Sequence, residues 1–184
     1  MITKYINEKI KYIGTQLSPH WIYKNFKIQG DAITAFCGEC EVKLPEMVDL
    51  EDVLNNEPIY SKNMLSFITE QFNVSLIEGI FRQRLLVCII KEELENRGVF
   101  VLRKGDDLMI NDKKLSVSIA SKSLTSVLIH TGLNIDSEGA PVKAAGLSSD
   151  LGIYDIKNFA LEIMKKYSEE INDIISASTK VRGV

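Results

Sequence analysis

Hydrophobic spacing is most regular near the end of the chain. Between positions 155 and 175, Ile156, Phe159, Ile163, Tyr167, Ile171 and Ile174 recur every three or four residues. That period lines one face of a helix and predicts that the face packs on a sheet. Segment 78–97 is apolar in its middle, charged at both ends and closed by Arg97-Gly98, which predicts a buried helix. Between these two helices the period falls to two. Segments 99–103, 107–110, 114–120 and 127–135 read as strands. Lys104-Gly105-Asp106 and Asn111-Asp112-Lys113 are short connections rich in turn formers, so they predict antiparallel neighbours.

The first half is less regular. Ser18-Pro19 has the form of a helix start, with serine as N-cap, proline at the first position, and His20 and Trp21 in the first turn. Segments 31–36 and 41–44 read as short strands around a turn at Gly38, and 61–72 as a helix. The sum is an α+β architecture, a mainly antiparallel sheet flanked by helices. No repeat, low-complexity tract or linker interrupts the chain, and the length suits a single domain over 1–184.

The strands also suggest a site. Residues two apart share a face of a strand. In 114–120, Leu115, Val117 and Ile119 take one side, while Lys114, Ser116, Ser118 and Ala120 take the other. In 127–135, the apolar side opposes Leu128, His130, Gly132 and Asn134. If the apolar faces pair, Lys114, the serines, His130 and Asn134 share one surface. Gly132 then marks close approach of a ligand or another backbone. A solvated face of an ordinary antiparallel sheet is the alternative, but such faces carry larger polar residues than Ser-x-Ser-x-Ala opposite Gly.

Composition narrows the function. A net charge of −3 argues against a protein that coats nucleic acid, which needs a basic surface. The longest apolar run, 85–90, is too short to span a bilayer. The start has no signal-peptide pattern, so a soluble cytoplasmic protein with its three cysteines reduced is expected.

At these residues the chain resembles a known group. Gly105-Asp106-Asp107-Leu108, Lys113-Lys114-Leu115-Ser116-Val117-Ser118-Ile119 and His130-Thr131-Gly132-Leu133-Asn134-Ile135 are similar to the core of the biotin and lipoate protein ligases. The whole chain, including Ser18-Pro19-His20-Trp21 and Gly30-Asp31-Ala32, is identified as a member of an archaeal family, domain of unknown function 366. The resemblance implies the ligase fold, itself related to class II aminoacyl-tRNA synthetases. It implies ATP and Mg²⁺ as cofactors and a small carboxylic acid or nucleotide as partner. Lys114 would hold the carboxylate and α-phosphate oxygens, where negative charge builds during transfer. Asp107 would lie near the metal; a charged turn after Arg103-Lys104 is its bland alternative.

The chain also departs from the ligases. The Arg-Arg followed by Ser-Gly-Gly-Gly of lipoate ligases and the Gly-Arg-Gly of biotin ligases do not occur; Arg82-Gln83-Arg84 is the nearest counterpart and supplies no glycine cradle. Octanoyl transferases use a cysteine downstream of the lysine, whereas the last cysteine here is Cys88.

Further candidates are weaker. His20 and Trp21 could approach the groove from the N-terminal side, and Arg103 could bind a phosphate. Cys37-Gly38-Glu39-Cys40 has metal or redox spacing, but zinc wants about four ligands and a redox pair wants a helix start. No zinc or flavin is expected. Two classes of function remain: an acyl- or nucleotidyl-transferase acting on a small carboxylic acid, with Lys114 and His130 catalytic, or a non-catalytic binding module using the same groove.

Overall fold

The structure, a computed structural model, describes residues 1–183. In chain order the elements are β1 (Ile2–Tyr5), α1 (Trp21–Phe26), β2 (Ala32–Val42), α2 (Leu50–Asn55), β3 (Ile59–Phe72) and α3 (Leu76–Glu95). Then follow β4 (Leu102–Lys104), β5 (Asp107–Ile110), β6 (Lys113–Lys114), β7 (Ser116–Lys122), β8 (Ser126–Asn134) and α4 (Ile156–Ser178). The main sheet has the order β1-β2-β3-β8-β7, and a small one the order β4-β5-β6. Among the described residues β1–β2 is the one parallel strand pair; the other neighbouring strands are antiparallel. The architecture is therefore α+β, with a mixed rather than purely antiparallel main sheet.

Helices α3 and α4 cover one face of that sheet. Ile33, Leu65, Phe67 and Leu133 meet Leu86, Ile90, Phe159, Ile163 and Tyr167 in one buried cluster. Ser75 caps α3 by accepting from the Glu78 N–H, and Asp155 caps α4 by accepting from the Asn158 N–H. Both helices match their spacing. The α4 stripe outruns the sheet in its last turns, where Ile174 is 47% exposed.

The opposite face is covered by the N-terminal segment and α1. Ile6, Tyr12, Ile22, Phe36, Met64 and Ile68 form its core. This second cover explains two corrections. Segment 61–72, expected as a helix, is strand β3. Leu65 and Phe67 face the helices while Met64 and Ile68 face the N-terminal side, so burial on both faces erases the alternation that would have revealed a strand. Segments 31–36 and 41–44, expected as two strands, merge into one strand, β2, with an irregular register between Gly38 and Cys40, and it ends at Val42, before a 3-10 turn over Leu44–Glu46.

Gly38 is therefore not a turn. The Ile10 N–H donates to the Cys37 carbonyl and the Tyr12 N–H to the Glu39 carbonyl, so a segment of chain lies directly over it. A Cβ at Gly38 would lie 2.1 Å from the Ile10 carbonyl oxygen. The cysteines of the CxxC also separate: Cys37 packs against the helix-side core and Cys40 in the opposite one. Burial pushes both thiols above their ordinary range, Cys40 to about 12, which suits neither redox nor metal chemistry.

The start of α1 differs as well. It begins at Trp21, two residues later than Ser18-Pro19 suggests, and no side chain caps it. His20 sits at the cap in a left-handed conformation (φ 63°), its N–H donating to the buried Glu70 carboxylate at 2.8 Å. A tertiary acceptor holds the cap residue's own N–H.

Gly38→Ala is expected to destabilise the fold by about 1–3 kcal/mol, because the backbone over it must move aside. Urea denaturation measures this; an unchanged midpoint would show that the N-terminal segment is not pinned there.

Candidate functional site

Lys114 is placed by the handover between the two sheets. β6 pairs with β5, setting Lys114 opposite Met109, and the Lys114 N–H and carbonyl also bond to Lys143 and Ala145. The chain then leaves the small sheet. Fully buried Leu115 donates its N–H to the Leu108 carbonyl in one sheet and accepts from the Asn134 N–H in the other. Because residues opposite one another share a face, and so do residues two apart, Lys114 and Asp107 lie on one side. Their ion pair is 3.0 Å long.

That pair borders a pocket of about 230 Å³, at the small end for a ligand site. Its buried side includes Tyr12, Met64 and His130, with Val117 and Ile119 from β7 and Asn134 from β8. Its outer wall is segment 46–58 with α2, together with Ala140, Pro141 and Val142. Sequence spacing did not mark Tyr12, Met64 or the wall 46–58. One signal was available: residues 44–61 hold Glu46, Asp49, Glu51, Asp52 and Glu57 with no lysine or arginine.

The structure brings Lys114, His130 and Asn134 to one hollow, but not on the shared polar surface expected. The β7–β8 register sets Val117 opposite Gly132 and Ile119 opposite His130, while Ser118 opposes Thr131. Polar positions of one strand thus share a face with apolar positions of the next. Ser116 is buried and accepts from the Leu108 N–H at 2.8 Å. Ser118 borders the pocket, yet its hydroxyl is taken by Thr131 at 2.8 Å and by Gln83 of α3 at 3.0 Å. Gly132 admits the Met64 side chain, whose Sδ would lie 2.3 Å from a Cβ there. The glycine makes room for a side chain of the neighbouring strand.

Three more candidates lie elsewhere. His20 lines a separate hollow with Tyr23, Gly30 and Glu70. Trp21 packs edge-on against Phe26, 5.3 Å between centroids. Exposed Arg103 folds back onto the Gly105 carbonyl. Of the arginines before the pocket, Arg82 is held by Gln71 and Glu78, and Arg84 pairs with Asp106 at 3.3 Å.

His130 is nine-tenths buried and stacks on Tyr12, with centroids 3.8 Å apart and planes 11° from parallel. Its Nε2 lies 3.2 Å from the Ser66 hydroxyl. Burial lowers its pKa from 6.5 to about 3, so the ring is neutral at ordinary pH. Burial, then the neighbouring Asp49, raises the Asp52 carboxyl, which also feels Lys114, Glu57 and Asp107.

These residues do not fit a nucleoside triphosphate or its magnesium. Phosphates above Lys114 would face Asp49, Asp52 and Glu57 rather than a glycine cradle or free arginines. Asp107 is engaged by Lys114, and among the described residues no group of three or more His, Cys, Asp or Glu side chains converges as metal ligands.

The chain shares its fold with the biotin and lipoate protein ligases. The biotin protein ligase from Aquifex aeolicus, solved with biotin and ATP, superposes with a TM-score of 0.63 at 17% identity, covering 92% of this chain and 70% of that one. Within that fold, the chain belongs to the family described as "Domain of unknown function (DUF366)", matched over residues 1–182. An uncharacterised protein of Methanocaldococcus jannaschii is 42% identical over 176 residues, 92% of this chain and 79% of that protein. A protein of unknown function from Pyrococcus horikoshi superposes with a TM-score of 0.92 at 38% identity, covering 99% of each chain. Among the described residues no helix is long and apolar enough to cross a membrane.

The buried imidazole has a consequence for stability. The folded state keeps His130 neutral, whereas the unfolded chain binds a proton below pH 6.5. The contribution is complete above that pH and is lost as pH falls toward about 3. His130→Asn is expected to flatten the fall in urea midpoint between about pH 7 and about pH 4; parallel slopes in both proteins would remove His130 as the cause.

Proposed function

We propose that the pocket binds a small carboxylic acid, or its acyl derivative, with the Lys114 ammonium on the carboxyl oxygens. The observation that supports this reading is the placement of Lys114: its backbone is held from two sides, while its Nζ stands at the pocket beside Asp107. The two side chains are 37% and 34% exposed. An ion pair this open is worth about 0–1 kcal/mol, so a ligand carboxylate can displace Asp107 at little cost. A point charge fixed beside a carbonyl also stabilises the negative charge that develops when an acyl group is transferred. His130, neutral and fixed by Tyr12 and Ser66, is a hydrogen-bonding group of the interior rather than a charged acid. On this reading the protein is an acyltransferase, and it works in the cytoplasm.

One observation favours a second reading, a non-catalytic binding protein on the same fold. The wall facing Lys114 is acidic where an activating triphosphate would need donors. Both readings place the same acid on the same lysine, and they differ in whether anything is transferred.

Thermal melting with biotin, lipoate and octanoate, each with and without ATP and magnesium, tests the site. A ligand at hundredfold excess over its Kd adds about 2.7 kcal/mol to the folded state. Lys114→Met is expected to weaken the stabilising acid by about tenfold or more, while an unaltered affinity would sink the assignment. Turnover of that acid's activated acyl derivative separates transferase from binding protein.

A further inference from the structure

We propose that the pocket's occupant also carries an organic cation, an ammonium held by the acidic wall 46–58, so that the ligand is an amine-bearing acid. This rests on the reading of Lys114 above and adds to it the chemistry of the other end of the molecule.

The charge around the hollow is one-sided. Among the described residues Lys114 is the one lysine or arginine on its lining, and Asp107 already neutralises it. Asp106 on the same rim is satisfied by Arg84 and Gln83. Four further acids line the outer wall: Glu46, Asp49, Asp52 and Glu57. Among the described residues none of the four has a cationic partner; Asp49 only caps α2 through the Glu51 and Asp52 N–H groups. Like charges gathered at one mouth repel each other and repel an anion, and a bound cation relieves both.

A second observation points to a ligand independently. Tyr12 and His130 are each about 3% exposed and both line the pocket. Among the described residues the Tyr12 hydroxyl has no hydrogen-bond partner, and the imidazole bonds only through Nε2, leaving Nδ1 open. Polar groups on side chains this deeply placed usually find a partner. Neither atom is sealed off as a fully enclosed unsatisfied group, so both are free to meet an occupant of the hollow. The stacked rings and Met64 supply an apolar bed for its body.

The cation is organic rather than metallic. A divalent ion would need several carboxylates converging on one point, and no such group forms among the described residues. Acids spread along a wall suit an ammonium, which needs a negative field and a few acceptors rather than a coordination sphere.

Three probes with one carbon skeleton test this by calorimetric titration of the full chain: 6-aminohexanoate, hexanoate and hexylamine. The zwitterion is expected to bind about tenfold or more tighter than hexanoate. The double variant Asp52→Asn, Glu57→Gln is expected to erase that preference while its melting curve reports an intact fold. Hexanoate binding as tightly as the zwitterion, or a preference unchanged in the double variant, overturns the inference. So does the failure of all three probes to bind. Lys114→Met separates the two readings: it should remove the advantage of 6-aminohexanoate over hexylamine. If that advantage persists while the preference over hexanoate also persists, the role of Lys114 falls and the cation site stands.

Discussion

Leu115 is the residue through which the two sheets of this protein hold each other. One of its backbone groups belongs to the small sheet and the other to the large one, and its side chain is fully enclosed. A buried peptide unit must have both of its polar groups satisfied, so the chain cannot slip there without breaking pairing on both sides. That constraint sets Lys114 on the pocket side of β5 and turns Ser116 inward onto the Leu108 N–H. The lysine is long and flexible, but the point from which it starts is fixed.

The rest of the site follows from how the main sheet is covered. α3 and α4 occupy one face completely, while the N-terminal segment crosses only part of the other. What remains over β7 and β8 is a hollow whose inner surface is apolar and aromatic and whose rim is charged. The two regions behave differently. In the interior, burial keeps His130 uncharged and stacks it on Tyr12. At the rim, burial and neighbouring acids raise Asp52. Likeness to the biotin ligases extends to the fold; the lysine and the acidic wall are read from this chain's own residues.

The register between β7 and β8 shows why a correct pattern can give a wrong surface. Both strands alternate as expected, and each has one small or polar side. Pairing the polar sides would have produced the shared floor, yet the strands are offset so that Ser118 meets Thr131 and Ile119 meets His130. A one-residue offset exchanges the two faces of a strand. Gln83 reaching from α3 to the Ser118 hydroxyl is part of what holds the observed choice, and it lies 35 positions away in the chain.

By itself, the sequence determined what local period and local chemistry can determine. These are the two long helices with their buried stripes, the strand-rich middle with its short turns, the net negative charge, and the resemblance of the lysine-led segment to the ligases. It also carried the acidic run 44–61 in plain view. Tertiary structure alone decided that 61–72 is a strand, since its two faces are covered by parts of the chain far apart in sequence. It decided that Gly38 lies under Ile10, that Gly132 makes room for Met64, and that Tyr12 stacks on His130. The physical reason is common to all of these: burial on a second face and contact between distant segments are long-range facts, and an alternation of side chains records only which residues share a side, never what lies against it.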